Sequence, residues 1–265
     1  MNYDGGDWLG CLMGGANGTN ANLNMTFDSL IISCTWQGDN STANLTGVVG
    51  EIAYLNTSWT NCQVTETISL FEHYTGMIGY LEMNYSTFYN ISIAGSIKDG
   101  YLCSGAVIAQ YNGINTTFAL NMTLLTITVA ISQCSGGQRA GIASYLSWAV
   151  TTIANLSMTN TNIFNSYDEA VILAYMNLAT VTIKNSAITT KMAFNISAVG
   201  TNGFFVSYTS AGTSTLVISS VAAKLWLYNE TDVGLYIGLI GTGITTIVNV
   251  TNFSINVTLS CYTLL

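Results

Sequence analysis

Apolar and polar residues alternate with a period of two along much of the chain, which is the pattern of half-buried β-strands. The clearest example is the segment 252–259, in which Phe253, Ile255, Val257 and Leu259 alternate with polar residues. β-Branched and aromatic residues are frequent, and no long stretch has a helical periodicity. The sequence therefore predicts an all-β protein.

A short motif recurs along the chain. It consists of a small residue, two or three apolar residues, a second small residue and usually a tyrosine. Its copies begin at Gly47, Gly76, Gly105, Ala140, Ala170, Gly203 and Gly234, with a degenerate copy at Gly10. With Tyr80, Tyr111, Tyr145, Tyr175, Tyr208 and Ile240 as markers, the spacings are 31, 34, 30, 33 and 32 residues. Each copy is followed by a segment with strand character, so one repeating unit has about 30 residues.

Such a unit cannot bury its apolar side alone, but a stack of units can. The sequence therefore predicts a parallel β-solenoid of about seven repeats, with an N-terminal cap or degenerate first coil at 1–44 and one continuous solenoid at 45–265. The chain has no proline, which fits a stack whose backbone N–H groups pair between coils. One or two β-sandwich domains are the main alternative, whereas a propeller would need repeats of about 40–45 residues.

The repeated motif, followed by a strand rich in Asn, Ser and Thr, resembles the GLUG-type repeats of secreted and surface adhesin-like proteins. The resemblance covers about residues 45–260, although several copies replace the second glycine. It implies an extracellular β-solenoid with a structural or adhesive role, and it supplies no catalytic residues.

The composition excludes several classes of partner. Only 7% of the residues are charged and the net charge is -8, so no basic surface is available for nucleic acid. Two long stretches, 100–138 and 233–265, are poor in charge, but Gly, Asn, Ser and Thr interrupt both of them. We therefore expect no membrane span.

Asn-x-Ser/Thr sequons are far more frequent than chance predicts. The 26 asparagines, each followed two positions later by Ser or Thr at a frequency of 59 in 265, would give about six, whereas 15 occur. The sequons are at Asn17, Asn24, Asn40, Asn44, Asn56, Asn84, Asn90, Asn115, Asn121, Asn155, Asn195, Asn229, Asn249, Asn252 and Asn256. A surface this poor in charge gains solubility from glycans, so N-linked glycans on an extracellular protein are the prediction. On the last strand, Asn252 and Asn256 should share a face, and Asn249 should point elsewhere or sit at a bulge.

Six cysteines, an even number, are typical of an oxidising compartment. Cys103 and Cys134 each precede a serine and a glycine and are one repeat apart, which predicts an intrachain disulfide between adjacent coils. Cys261 closes the last repeat, so it could bond to Cys11 or, less favoured, Cys34 of a neighbouring subunit. The two remaining cysteines among Cys11, Cys34 and Cys62 would then pair within the chain. A free Cys261 and a chain that doubles back are the alternatives.

Candidate chemistry is sparse, and we predict no enzymatic activity, no metal and no cofactor. His73 is the single histidine, Asp4 and Asp7 lack further calcium ligands nearby, and Asp168 and Glu169 are adjacent and so point in opposite directions on a strand. The single arginine and the four lysines are scattered. The tyrosines of the motif form either a stacked ladder, which we favour, or an exposed track for sugars.

Two functions are compatible with this pattern. The favoured one is a structural subunit of an extracellular, N-glycosylated filament, appendage or surface layer that assembles end to end with copies of itself. The alternatives are a monomeric surface adhesin or carbohydrate-binding module, and a filament of β-sandwiches linked by donor strands.

Overall fold

The computed structural model describes residues 8–18, 23–37, 45–69, 74–82, 85–98, 103–113, 119–132, 138–164, 168–193, 202–210, 212–228, 235–241 and 244–260. Within these ranges every regular element is a β-strand, and all strand pairs are parallel. The strands form two sheets, which we call sheet A and sheet B. The all-β prediction is therefore confirmed.

Each coil of the chain contributes first to sheet A and then to sheet B. The 13 strands of sheet A, within the described ranges, are β1 (Trp8–Asn17), β4 (Leu45–Ala53), β7 (Tyr74–Thr75), β8 (Ile78–Glu82), β10 (Cys103–Gly105), β11 (Ile108–Asn112), β13 (Gln138–Ala140), β14 (Ala143–Ser147), β17 (Asp168–Ala170), β18 (Leu173–Asn177), β20 (Asn202–Gly203), β21 (Val206–Thr209) and β23 (Ile237–Ile240). The 11 strands of sheet B, counted in the same way, are β2 (Asn24–Asp28), β3 (Ile31–Gln37), β5 (Asn56–Thr60), β6 (Gln63–Ser69), β9 (Ser86–Lys98), β12 (Ala119–Ser132), β15 (Val150–Ala154), β16 (Ser157–Phe164), β19 (Thr180–Ala193), β22 (Thr213–Tyr228) and β24 (Thr245–Ser260).

Successive coils stack in register, which makes the fold a parallel β-solenoid, as the repeats predict. In sheet B the order is β2, β5, β9, β12, β15, β19, β22, β24, and every neighbour in this order is one coil further along the chain. Eight coils are present within the described residues, so the count differs slightly from the predicted seven. The β-sandwich alternative is wrong, because neighbouring strands are successive coils in parallel rather than antiparallel hairpins.

The segment that contains the degenerate Gly10 motif is a full coil. Its strands β1, β2 and β3 pair with β4, β5 and β6 of the second coil. Gly10 lies beside Gly47, so the degenerate copy and the first regular copy occupy the same position in the stack. The N-terminal part is therefore continuous with the solenoid.

The interior of the solenoid is filled by columns of apolar side chains, one from each coil. Trp59 is fully buried, and its ring stacks on Phe27 of the preceding coil with centroids 3.8 Å apart and on Phe88 of the following coil with centroids 6.4 Å apart. Strand β6 shows the underlying pattern, because its residues are alternately exposed and buried from Gln63 to Ile68. Period-two alternation thus places one face of each strand in a common core.

A sharp corner divides sheet B into two faces, and one residue of each coil forms it with a positive φ of 51–56° or, at Leu124, 58°. We call these residues the corner ladder; they are Ser29, Asn61, Asn90, Leu124, Asn155, Asn185, Ser220 and Asn252. Asparagine fills five of the eight positions. Its short polar side chain tolerates the left-handed conformation better than other non-glycine residues do, which explains the choice.

The alignment of the tyrosine markers that the sequence suggests is partly wrong. The structure aligns Tyr80 with Gln110, not with Tyr111, and Tyr208 with Leu239, not with Ile240. Tyr111 instead points into the core and is fully buried. The third motif copy carries one extra residue, and a shift of one residue moves a side chain to the opposite face of a strand.

Backbone hydrogen bonds between coils continue through the bends as well as the strands. At the bends, for example, the Val107 N–H donates to the Ile142 carbonyl and the Val171 N–H to the Phe204 carbonyl. A proline at such a position would remove a donor, which gives the absence of proline its physical reason. Among the described residues, no helix has the length and hydropathy needed to cross a membrane.

Candidate functional site

The corner ladder is the most regular polar feature of the outer surface. The Asn90 side-chain amide donates a hydrogen bond to Oδ1 of Asn61 over 2.8 Å, and the Asn252 amide donates to Oγ of Ser220 over 3.3 Å. These bonds join residues of adjacent coils, so the side chains support the stack outside the backbone ladder. Three ladder residues, Asn90, Asn155 and Asn252, also begin sequons.

Nine sequon asparagines lie among the described residues. Eight of them are exposed, namely Asn17, Asn24, Asn90, Asn121, Asn155, Asn249, Asn252 and Asn256, and Asn56 is half-buried. The predicted sites Asn40, Asn44, Asn84, Asn115, Asn195 and Asn229 lie outside the described residues. The accessible positions are spread over both faces of sheet B, over its corner and onto sheet A.

The corner explains why sequon asparagines at both odd and even positions of β24 are exposed. Asn249 and Asn256 differ in parity, yet both are exposed, because the positive φ of Asn252 resets the alternation between them. Asn249 faces outward on one side of the corner and Asn256 on the other. The prediction that Asn249 points away from the direction of Asn256 agrees with this geometry.

Asn56 differs from the other described sequon asparagines because both the nitrogen and the oxygen of its side-chain amide are hydrogen-bonded. Its Nδ2 donates to Oδ1 of Asn24 over 3.2 Å, and its Oδ1 accepts a hydrogen bond from the Tyr85 N–H over 3.1 Å. Both contacts link neighbouring coils. Asn56 therefore has a structural role that a purely sequence-based prediction of glycosylation does not reveal.

The outer face of sheet A carries the tyrosine column. The rings of Tyr145 and Tyr175 stack with centroids 4.7 Å apart, and Tyr175 and Tyr208 lie 5.2 Å apart with tilted rings. All three side chains are half-buried. Since the rings of Tyr145 and Tyr175 cover one face of each other, this part of the column has the geometry of the stacked ladder that we favour.

Acidic residues lie beside this column at its N-terminal end. Glu51 is the register partner of Tyr80, and Glu82 follows two residues after Tyr80 on the same strand. Partial burial, and to a lesser extent repulsion from Glu82, raises the pKa of Glu51 to about 7. Burial also raises the pKa of Tyr80, which accepts a long hydrogen bond of 3.5 Å from Asn112.

A further carboxyl group, that of Glu66, is completely buried inside the second coil. Neither of its oxygens has a hydrogen-bond partner among the described residues. Desolvation raises its pKa to about 8, so the group is neutral at pH 7. Sequence reasoning missed Glu66, although its position in the alternating segment Val64-Thr-Glu-Thr-Ile68 gives it the parity of the core.

The disulfide pairing differs from the prediction for the cysteines near the N-terminus. Cys11 and Cys34 form a disulfide within the first coil, so neither is left to bond Cys261 of another subunit as predicted. Strands β1 and β3 begin and end the same coil, which brings these two residues together. Cys62 is a buried free cysteine, and Cys261 lies outside the described residues.

The alignment behind the predicted Cys103–Cys134 bridge is also wrong. Cys103 lies beside Gln138 in the next coil, not beside Cys134. The segment that contains Cys134 is outside the described residues, so the pairing itself is not observed. The repeated Cys-Ser-Gly triplet is displaced by four residues from the register of the strands.

Of the remaining candidates for chemistry, the structure describes only Asp168 and Glu169. Asp168 and Glu169 are adjacent on β17 and lie beside Gln138 and Arg139, whose own side chain is buried. His73, Asp4 and Asp7 are outside the described residues. Within the described ranges, no group of three or more His, Cys, Asp or Glu side chains is arranged to hold a metal ion.

The two end coils expose part of the core. Leu225 and Leu227 of β22 are 2% and 8% exposed, whereas their neighbours in β24, Val257 and Leu259, are 42% and 67% exposed. At the other end, apolar residues of the first coil such as Phe27 are only partly buried.

No family model, no curated protein and no solved structure matches the chain.

Proposed function

We propose that the chain is a structural subunit of an extracellular, N-glycosylated filament, appendage or surface layer, in which copies stack end to end. The observation that carries this proposal is the difference in burial between the interior coils and the last coil. Leu259 is 67% exposed although Leu227, its partner one coil earlier, is 8% exposed. A further coil at this end would complete the burial of Leu259 and remove apolar surface from water.

The backbone edges support the same arrangement. Within the described residues β24 pairs only with β22 and β1 only with β4, so each end has one edge with unpaired N–H and C=O groups. Unpaired edges invite pairing with another chain. An end-to-end contact joins the last coil of one copy to the first coil of the next, so it is heterologous, and where it does not close it gives a linear polymer.

The lateral surface suits a filament that does not aggregate sideways. The exposed sequons lie on the sides of the coils, and glycans there would keep neighbouring filaments apart while the end faces stay accessible. The Cys11–Cys34 disulfide is compatible with an oxidising, extracellular compartment. The resemblance of the repeats to GLUG-type surface proteins points the same way. The proposed role requires no catalytic group, cofactor or nucleic acid.

The test is to measure assembly of the purified, glycosylated chain by negative-stain microscopy and by sedimentation over a range of concentrations. We expect rods that lengthen with concentration, with an axial repeat of about 38 Å for eight coils. Leu259→Lys places a charge on the end face and should shift the protein to monomers. Thr159→Lys places the same charge on the side of the fifth coil and should assemble as the wild type does.

Monomers of the wild type at all concentrations would contradict the proposal, as would normal assembly of a folded Leu259→Lys variant. The alternative of a monomeric adhesin or carbohydrate-binding module predicts both of these results. The tyrosine column does not favour that alternative, because the rings of Tyr145 and Tyr175 stack on each other. The donor-strand alternative requires a β-sandwich and falls with that fold.

A further inference from the structure

A groove of about 520 Å³ runs along the corner ladder over the last four coils. The ladder residues Asn155, Asn185, Ser220 and Asn252 line it, together with the residues that follow them in each coil. The outward position two residues after the corner is small in each of these four coils, where it is Ser157, Ala187, Ala222 and Ser254.

The chemistry of the lining is neutral. It consists of side-chain amides, hydroxyl groups and small apolar side chains, and no charged residue contributes to it. Its volume is within the range of about 300–1,000 Å³ that is usual for small-molecule sites. Amides and hydroxyls spaced by one coil, about 4.8 Å, can donate and accept hydrogen bonds along an extended neutral ligand such as a sugar chain.

Both ends of the groove carry a sequon. In Asn155-Leu-Ser157 and Asn252-Phe-Ser254, the asparagine and the serine both line the groove, while the apolar residue between them points toward the core. The two asparagines differ in the state of their amides. Asn252 donates a hydrogen bond to Ser220, whereas the Asn155 side chain makes no hydrogen bond within the part of the chain that the structure describes.

From this geometry we infer that the groove holds the first sugar residues of the N-glycan attached to Asn155. The glycan leaves the Asn155 amide at one end of the groove and passes over Asn185 and Ser220 toward Asn252. The inference rests on the proposed glycosylation of the chain and adds a binding site for one particular glycan. Asn121 is exposed on β12, does not line this groove and serves as the internal comparison.

The experiment measures enzymatic release of each glycan from the native protein made in a eukaryotic secretory host, resolved by site with mass spectrometry. We expect release from Asn155 to be slower than release from Asn121 by about tenfold, the effect of one or two net hydrogen bonds that must break first. After denaturation the two sites should be released at equal rates.

Variants separate the groove from the sequon. Ala187→Leu fills the groove and leaves every sequon intact, so release from Asn155 should become as fast as from Asn121. Ala130→Leu adds the same side chain on the outer surface of β12, away from the groove, and should change neither rate. Ser157→Thr keeps the acceptor sequence and should retain slow release.

Equal release from Asn155 and Asn121 in the native wild type would overturn the inference, and so would an unoccupied Asn155. If other sequons carry glycans in that case, the proposed glycan-coated filament would not be contradicted. Absence of glycans at every sequon would instead contradict the proposed glycan coat itself.

Discussion

Gly95 of the third coil lies directly beside Glu66 of the second coil, and a Cβ atom built at Gly95 would collide with the backbone carbonyl group of Glu66. Gly95 also has a φ of 130°, which side chains of L-residues rarely adopt. The buried carboxyl group of Glu66 is therefore followed in the stack by a position without a side chain. On its other side it follows Cys34, which is held in the disulfide of the first coil.

Burial of Glu66 makes stability depend on pH. The pKa of Glu66 is raised from 4.5 to about 8, so the folded protein keeps a proton that the unfolded chain releases. The free energy of unfolding should therefore fall as the pH rises from about 4.5 to about 8 and level off above that value. Glu66→Gln should lose the part of this slope that comes from Glu66 and keep the smaller part below about pH 7 that comes from partly buried Glu51. Above pH 8 it should exceed the wild type in stability by an amount on the order of a few kcal/mol.

Urea unfolding of both proteins between pH about 4 and about 9 measures this effect. Asp28→Asn alters an exposed carboxyl group in the first coil and provides the control, with an unchanged slope expected. Parallel pH profiles for the wild type and Glu66→Gln would show that the carboxyl group ionises without cost in the folded state.

The corner ladder should discriminate between residues by their tolerance of positive φ. Asn90→Ala replaces a residue that tolerates the left-handed region, at a φ of 55°, with one that rarely adopts it, and it removes the hydrogen bond to Asn61, so a loss of about 1–3 kcal/mol is expected. Asn90→Gly removes the same hydrogen bond without the backbone penalty and should lose less.

Thermal or urea unfolding of protein from a host without N-glycosylation avoids any effect of a glycan at Asn90. Asn121→Ala, on the straight part of β12, is the matched control and should stay near the wild type. An Asn90→Ala variant that is as stable as Asn90→Gly would argue against the left-handed corner.

The cysteines should behave in two distinct ways. A non-reducing peptide map should join Cys11 to Cys34, and the Cys62 thiol should react with an alkylating reagent only after denaturation, because it is fully buried. Cys34→Ser should lower the free energy of unfolding by about 3 kcal/mol, the value for a loop of similar length. Cys62→Ala should leave the Cys11–Cys34 peptide unchanged. A peptide that joins Cys62 to either of these residues would contradict the first coil as described.

The tyrosine column should contribute to stability through its rings. Tyr175 contacts Tyr145 on one side and Tyr208 on the other, so Tyr175→Ala should lower the free energy of unfolding by about 1–3 kcal/mol. Tyr175→Phe keeps an aromatic ring in contact with both neighbours and should lower it by less. Unfolding measurements on both variants, together with a binding assay on soluble polysaccharides, separate a ladder from a sugar track. Loss of polysaccharide binding by Tyr175→Ala, with stability unchanged, would support the track.

Period-two alternation and the recurring small residue are sufficient to predict the fold, because both are local and recur in every coil. They are not sufficient to predict the exact register between coils, because the copies differ in length between their first small residue and their tyrosine. Gly105 to Tyr111 has one residue more than Ala140 to Tyr145, and this insertion turns Tyr111 into the core. Cys103 and Cys134 mislead for a related reason, because their similar neighbours suggest an alignment four residues away from the strand register.

The corner ladder shows another limit of sequence reasoning. An asparagine before x-Ser or x-Thr has the same letters whether it turns a corner or accepts a sugar, and Asn90, Asn155 and Asn252 both turn the corner and begin a sequon. Leu124 occupies the same corner position without any polar side chain, so the position is not defined by one residue type. Only the stacking of coils reveals that these residues form one line.

In-register stacking also makes the length of this molecule adjustable in whole steps. Each coil pairs in register with the coil before it and with the coil after it, as the partners of β19 in β15, β16 and β22 illustrate. Duplication or removal of one coil would therefore join surfaces that already fit, and it would lengthen or shorten the rod by about 4.8 Å. The length of the rod along its axis is therefore set by the number of coils.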